Sequence, residues 1–215
     1  MPASLPPVSL DFLPESLRLL AQQGIVKDFP RDSELIREGE FTDAVFIVLR
    51  GSVKAFSIDS RNREIIYGAY GPGEYLGEMS LDGGPRSASV VTLEPTTCSV
   101  ITRRTLREHI RAHPDFAFEL LERVIRRIRI LTDNARGLAL LDVYGRLVKF
   151  LNAHATPAEG GVRVLAPRPT HSELAGRIGS SREMVSRLLK DLEQGGYVAV
   201  QDGQLALLKP LPSSW

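Results

Sequence analysis

The stretch from Thr170 to Lys190, THSELAGRIGSSREMVSRLLK, leaves little choice but two short helices joined by a tight turn. Thr170 is an N-cap residue, and Glu173 three positions later completes a capping box. Leu174, Ala175 and Ile178 then recur at helical spacing. Gly179 stops the first helix, because a left-handed residue is needed there and glycine adopts it without steric penalty. Ser180 and Ser181 offer new N-caps, with Glu183 three residues after Ser180. Met184, Val185, Leu188 and Leu189 make the buried stripe of the second helix, and Ser181, Arg182, Glu183, Ser186, Arg187 and Lys190 make its polar face. Ala175 is small, so the two helices can approach closely. The pattern predicts a helix-turn-helix whose second helix carries the polar face that a major-groove reader needs. Helix–glycine–helix pairs also occur in enzymes with no nucleic acid nearby, so the rest of the chain decides.

Charge narrows how such a motif acts. The 215 residues carry a formal net charge of +1, so there is no global basic field. From residue 137 onward nine Lys/Arg face seven Asp/Glu, a balance of +2. Nucleic-acid binding then rests on the placement of a few arginines, on helix termini and on dimer symmetry. Cys98 is the only cysteine and lies in an apolar, strand-like run, which predicts a small buried hydrophobe. One cysteine cannot form an intrachain disulfide or hold an iron–sulfur cluster. His109 and His113 are four apart but lack a third ligand, and no metal site is expected. No apolar run approaches 18 residues, and MPASLPPVSLDF has no basic and apolar leader pattern; a cytoplasmic protein is the default expectation.

Residues 12–23, FLPESLRLLAQQ, predict a short amphipathic helix closed by Gly24. From Ile25 to Ile101 the texture changes to short apolar or alternating runs punctuated by glycine: ELIREG, AVFIVLRG, SVKAFSID, EIIYGAYGPG, SASVVTL and CSVIT. That spacing predicts many short antiparallel strands in a β-barrel or roll, with DSRNRE as a hairpin tip. The segment GEMSLDGGPRSA, Gly77–Ala88, interrupts the strands with a short glycine-flanked helical piece whose backbone N–H groups are free to meet an anion. Arg86 supplies a bidentate cation, Ser87 a hydroxyl and Glu78 an acceptor for sugar hydroxyls. An Arg–Glu pair stapling a loop explains the same residues equally well.

Residues 103–136 predict a long helical stretch with Pro114 marking its start. Leu121, Val124, Ile128, Leu131, Ala135 and Leu138 are spaced as an a/d seam, the pattern of a parallel homodimer; an ordinary helix packed on its own barrel is the alternative. Arg123, Arg126, Arg127 and Arg129 form a mostly solvated face within reach of a ligand or a partner carboxylate. The run from Gly137 to Asp142 breaks the pattern and sets the hinge, with Asp142 capping the next helix, VYGRLVKFLNAH. TPAEGG reads as a loop, VRVLAP as a strand, and two apolar runs around Asp202-Gly203 as a hairpin wing. The tail KPLPSSW reads as frayed.

These parts in this order resemble the cyclic-AMP receptor protein and fumarate–nitrate regulator (CRP/FNR) family of bacterial transcription factors. The pieces that carry the resemblance are GEMSLDGGPRSASV, the helix leading into GLALLDVYGRLVKFL, and SSREMVSRLLKDLE. It implies an α+β chain: a cyclic-nucleotide-binding-type β-roll over 1–110, a dimerisation helix over 111–137 and a winged helix-turn-helix DNA-binding domain over 138–215. It further implies that Glu78 accepts from a ribose 2′-hydroxyl and that Arg86 pairs with a cyclic phosphate, helped by Ser87 and the backbone near Gly77 and Ala88. Thr132 falls where the family touches adenine across the subunit boundary. Arg182 and Arg187 would read guanines and Glu183 a cytosine amino group in TGTGA-like half-sites. The implied partners are double-stranded DNA, a second copy of the chain, cyclic AMP as effector and RNA polymerase, with no cofactor and no membrane.

The pocket segment departs from the family pattern. Glu78 to Arg86 is one residue shorter than in typical cyclic-nucleotide pockets, Leu131 stands where the cyclic-AMP receptor has a second hydroxyl, and Gly68 replaces a hydroxyl residue. A regulator of the same family that is ligand-independent, or tuned by another effector, is the alternative reading. No nucleophile–base–orienter set is visible, and Glu78, Arg86 and Ser87 suit binding rather than turnover, so no enzyme is expected.

Overall fold

The computed structural model describes residues 8–158 and 161–212. Glu159 and Gly160 of the TPAEGG loop and Ser213–Trp215 of the tail lie outside them. The chain divides into two compact units, one taking in residues up to 57 and 67–128, the other 58–66 and the chain from 129 onward.

The N-terminal unit opens with α1 (Glu15–Gln22) and continues through β1 (Ile25–Phe29), β2 (Glu34–Ile36), β3 (Val45–Arg50), β4 (Val53–Ile58), β5 (Glu64–Tyr70), β6 (Tyr75–Leu76), β7 (Ser89–Thr92) and β8 (Thr96–Ile101). A 3-10 turn, Glu78–Asp82, separates β6 from β7. The strands form two four-stranded sheets, ordered β1-β8-β3-β6 and β2-β7-β4-β5. The glycine-punctuated runs thus make a roll, as their spacing predicts. Strand β3 explains why it holds together. Its sequence VFIVLR is buried along nearly its whole length. Period-two alternation sends Val45, Ile47 and Leu49 into one cluster with Leu17, Leu20, Ile101, Leu106 and Phe116. It sends Phe46 and Val48 into the other, with Ile36, Val53, Leu76, Val90 and Cys98. Cys98 is fully buried, and burial pushes its thiol up to about 12.

The helical stretch after the roll departs from a single rod. Pro114 divides it into α2 (Arg103–Ala112) and α3 (Asp115–Leu140). Thr102 caps α2 by accepting from the Thr105 N–H. At the far end α3 runs through Gly137 to Leu140, past the expected break. One glycine costs a helix interior only about 1 kcal/mol, and the good helix formers Leu138, Ala139 and Leu140 that follow carry the helix past it. The interruption comes at Leu141–Asp142, and Asp142 then caps α4 (Val143–His154) by accepting from the Gly145 N–H at 2.7 Å.

The C-terminal unit adds β9 (Thr156–Pro157), β10 (Arg163–Leu165), α5 (His171–Ile178), α6 (Arg182–Gln194), β11 (Val198–Gln201) and β12 (Gln204–Leu207). Its strands form an antiparallel sheet ordered β11-β12-β10-β9. Tyr144, Leu147 and Leu151 of α4 pack with Leu174 and Ile178 of α5, Val185, Leu189 and Leu192 of α6, and Leu205 and Leu207 of β12. The capping box at Thr170 is complete in both directions. Gly179 takes the left-handed conformation at φ 62° and donates to the Ala175 carbonyl, which ends α5 and turns the chain into α6. The wing is the β11–β12 hairpin around Asp202-Gly203.

Candidate functional site

The turn after β6 sets the first half of the site. Gly77 sits at φ 92°. A Cβ there would stand 2.6 Å from the Ala44 carbonyl oxygen and 2.7 Å from Arg86 Nη1. The missing side chain is therefore what lets Arg86 lie against this backbone. Arg86 is 4% exposed. Its Nε donates to Thr42 Oγ1 at 2.8 Å, its Nη1 to the Gly77 carbonyl at 2.9 Å and its Nη2 to the Ala44 carbonyl at 2.6 Å. Burial pulls its pKa below the usual arginine value, opposed by the fields of Asp43, Glu78 and Glu40. The group stays a cation, because arginine starts so far above neutral pH. Three acceptors of its own chain hold it in place before any ligand arrives.

Glu78 opens the 3-10 turn and is buried. Its ion pair goes to Arg127 on α3 rather than to Arg86. Arg127 donates through Nη1 to Glu78 Oε1 and through Nη2 to the Tyr75 carbonyl. The same guanidinium lies 4.7 Å from the Tyr70 ring centre and 5.7 Å from that of Tyr75. Arg123, one turn earlier, lies 4.9 Å over Tyr75 and donates to the Gly73 carbonyl at 2.8 Å. Burial alone would pull the Arg127 pKa down, but Glu78 and the two tyrosines outweigh it and leave the pKa raised. Burial pushes the Tyr75 phenol up to about 12, and its hydroxyl has no partner among the described residues. Ser87 is exposed, and its hydroxyl donates to Met79 Sδ at 3.3 Å. Ala88, just before β7, is half-buried. Gly77, Glu78, Arg86, Ser87 and Ala88 thus belong to one segment, with Arg127 reaching in from α3. Thr132 is exposed on the same helix.

The second surface is the outer face of α6. Ser181 caps the helix by accepting from the Met184 N–H at 3.2 Å. Arg182, Glu183, Arg187 and Lys190 are exposed. Ser186 is half-buried, its hydroxyl 2.7 Å from His171 Nδ1. His171 Nε2 lies 3.3 Å from Arg168 Nη2. A guanidinium only donates, so Nε2 accepts, and in neutral His171 the proton sits on Nδ1 and is given to Ser186; the hydrogen-bond network assigns this tautomer. Burial, then Arg168 and Arg182, hold the His171 pKa below its ordinary value.

The sequence gives Arg127 no partner and does not mark His171 or Arg146. It puts Arg127 in a mostly solvated arginine face with reach to a ligand or a partner carboxylate; the carboxylate it meets is Glu78 of its own chain, 49 positions away. The spacing of Arg123 and Arg127, one turn apart, is the only local sign. His171 is the first residue of α5, where nothing local marks a contact to α6. Arg146 donates to the Leu141 and Ile178 carbonyls, both at 2.7 Å, and to the Gly179 carbonyl at 3.3 Å. It satisfies the exposed C-terminal carbonyls of α5 where the turn begins.

Residues 26–113 match the family described as Cyclic nucleotide-binding domain, and residues 145–210 match the Crp-like helix-turn-helix domain. The chain belongs to the CRP/FNR family of transcription regulators. It is 32% identical to a CRP-like cAMP-activated global transcriptional regulator of Mycobacterium tuberculosis, over 87% of this chain and 86% of that protein. It is 33% identical to the cAMP-activated global transcriptional regulator CRP of Haemophilus influenzae, over 79% and 78%. The fold matches the c-di-GMP responsive global regulator CLP of Xanthomonas campestris with a TM-score of 0.80 and 23% identity, covering 90% of this chain and 98% of that one. This CRP/FNR chain is a transcription regulator with a cyclic-nucleotide-binding domain and a DNA-binding helix-turn-helix, not an enzyme.

Proposed function

We propose that the chain is a homodimeric, cytoplasmic activator of transcription, switched by cyclic AMP, that reads TGTGA-like palindromes and acts through RNA polymerase. One observation carries the effector reading: a buried cation, Arg86, and a buried carboxylate, Glu78, close the two ends of a single glycine-flanked segment. Arg86 would pair with the cyclic phosphate and Glu78 with the ribose 2′-hydroxyl, with Ser87 and the backbone at Gly77 and Ala88 adding donors. Thr132 would meet the adenine from the partner subunit. The relatives named as cAMP-activated support this choice of nucleotide.

The apolar seam supports the dimer. Leu121 is 55% exposed and Ile128 54%, and Leu131 and Leu138 are also open in the single chain, alongside half-buried Val124 and exposed Ala135. A second copy would cover them. On this reading the working division is 1–110, 111–137 and 138–215. In each half-site Arg182 and Arg187 would meet guanines, Glu183 a cytosine amino group and Lys190 the phosphates, each good base contact contributing roughly 1–3 kcal/mol of discrimination.

Calorimetric titration with cyclic AMP, with cyclic GMP and cyclic di-GMP as controls, tests the effector. Fluorescence anisotropy on a TGTGA palindrome, with and without each ligand at fixed salt, tests the coupling. Saturable cyclic-AMP binding that tightens operator binding is expected; tight operator binding with no nucleotide bound refutes the switch. A regulator with another effector, or none, is the second reading. It is favoured by the partners that the two groups have in their own chain, the Gly77 and Ala44 carbonyls for Arg86 and Arg127 for Glu78.

A further inference from the structure

The face of α2 carries an arginine arrangement beside the nucleotide segment, touching it where Arg103 donates to the Leu81 carbonyl. Arg103, Arg107 and Arg111 recur every four residues and so share one side of the helix. With Arg104, Glu108 and Asp43 they line a recess of about 400 Å³. A neighbouring recess of about 250 Å³ shares Asp43 and Arg103 and adds Phe41, Thr42 and Gly83-Gly84. Arg86 is held by Thr42, Gly77 and Ala44 and Glu78 by Arg127, and these four residues line no part of the larger recess, though Asp43 there acts on Arg86 through its field.

Like charges one turn apart destabilise a helix, so the arrangement works against α2. Local chemistry relieves it only in part. Arg104 pairs with Glu108 at 2.9 Å. Arg111, in the last turn, is favoured by the helix dipole. Arg107 has no such explanation, and neither Arg107 nor Arg111 has an ion pair among the described residues. Arg103 is pinned, its Nη2 donating to the Leu81 carbonyl, while its Nε is buried without a partner among the described residues. Once Glu108 is matched with Arg104, three arginines face one carboxylate, a local charge of +2.

We propose that the larger recess is a second anion site, lined by neither Glu78 nor Arg86, that binds a small ligand bearing a diphosphate or triphosphate group. Guanidiniums match phosphate oxygens two at a time, and a chain carrying several phosphates spans a row of arginines one turn apart. A concave recess of this volume suits a small molecule rather than a flat macromolecular contact. The exposed Phe41 ring, 76% open in the adjoining recess, offers a face to a base if the phosphates belong to a nucleotide.

The test uses the full chain in low-phosphate buffer. Inorganic pyrophosphate and tripolyphosphate are titrated calorimetrically beside ADP and ATP. The wild type is compared with Arg107→Gln/Arg111→Gln, with Phe41→Ala and with Arg86→Gln. Arg107, Arg111 and Phe41 are exposed, and a thermal melt verifies that each variant is folded. Saturable 1:1 binding that weakens at least about tenfold in Arg107→Gln/Arg111→Gln and persists in Arg86→Gln is expected. Loss of the nucleotide arm alone in Phe41→Ala assigns the ligand as a nucleotide; equal affinity for all four probes assigns the bare polyphosphate. Three results overturn the proposal: no saturable binding of any probe, binding lost in Arg86→Gln but kept in the arginine pair variant, and binding of a poly-glutamate peptide but none of the phosphates.

Discussion

Replacing Arg127 by glutamine removes the ion-pair partner that Glu78 has among the described residues, and that carboxylate is 6% exposed. Breaking a buried pair from one side costs roughly 3–5 kcal/mol, mainly because the remaining charge stays buried and uncompensated. Arg127 is itself 22% exposed, so water reaches Glu78 once the guanidinium is gone, and the lower end, about 3 kcal/mol, applies. Glu78→Gln removes the charge and leaves Arg127 on the Tyr75 carbonyl and the two tyrosine rings. Its cost is about 1–2 kcal/mol, near that of a lost charge-assisted hydrogen bond. The two side chains touch, so the double variant should cost less than the sum, with a coupling of roughly 1–3 kcal/mol. Urea unfolding of the four proteins measures this. With a slope near 2 kcal/mol per molar, Arg127→Gln lowers the midpoint by about 1.5 M. Effects that add to within about 0.5 kcal/mol would refute the reasoning, for they would mean that Glu78 and Arg127 do not sense each other.

Other outcomes follow from the same geometry. His109 is buried against Phe116 and His113, with ring centres 5.0 and 4.7 Å away. Burial, then His113, lowers its pKa, against weaker opposition from Ser16 and Glu119. The unfolded chain therefore binds the proton more tightly, and stability is full above about pH 6.5 and falls as the pH drops below it; thermal melts across that range should show the loss, and His109→Gln should flatten it. Gly179→Ala forces a left-handed residue at φ 62° and places a Cβ 2.9 Å from Leu138 Cδ2, so it should cost at least about 1–2 kcal/mol and lower the melting temperature of the C-terminal unit. Arg182→Ala should weaken operator binding far more than binding to random DNA, whereas Lys190→Ala should weaken both alike and reduce the salt slope by about one; anisotropy at several salt concentrations separates them.

The features legible in the sequence are the ones whose cause lies within a few residues. Thr170 with Glu173, Gly179, Ser181 and Asp142 each act on a backbone group at most four positions away, and each acts as its residue type predicts. The strand-rich texture of the roll was legible for the same reason, since glycine turns punctuate it, but β1 (Ile25–Phe29) and the two-residue β6 (Tyr75–Leu76) lie outside the six runs that the sequence marks. Strand pairing was not legible. β1 pairs with β8, Ile25 opposite Val100, and nothing in either run names the other. Arg86 was visible as a phosphate-binding candidate, yet the Ala44 carbonyl that fixes it is 42 positions away. Gly137 failed in the opposite sense: the local signal was real, but one glycine's cost of about 1 kcal/mol is small beside the helix propensity of the leucines and alanine that follow it, and α3 runs on to Leu140.

The pairing of Glu78 with Arg127 also bears on how an effector reaches the rest of the molecule. A carboxylate has about four lone-pair sites, and Arg127 engages Oε1. A sugar hydroxyl at Glu78 would therefore share the carboxylate with Arg127 rather than displace it. Each new donor withdraws charge from the bond to Arg127, and Arg127 stands on α3, one turn before Leu131 of the apolar seam. A ligand acts on a distant equilibrium only through a differential contact in the two states. Here that contact is one hydrogen-bonded ion pair, and site-to-site couplings are usually about 1–3 kcal/mol, the scale of one such bond. Arg86, by contrast, is held by Thr42, Ala44 and Gly77 of the roll. Binding strength at the phosphate and coupling to α3 thus rest on different residues. Arg86→Gln should abolish effector affinity, while Arg127→Gln should keep binding measurable and remove its effect on DNA affinity.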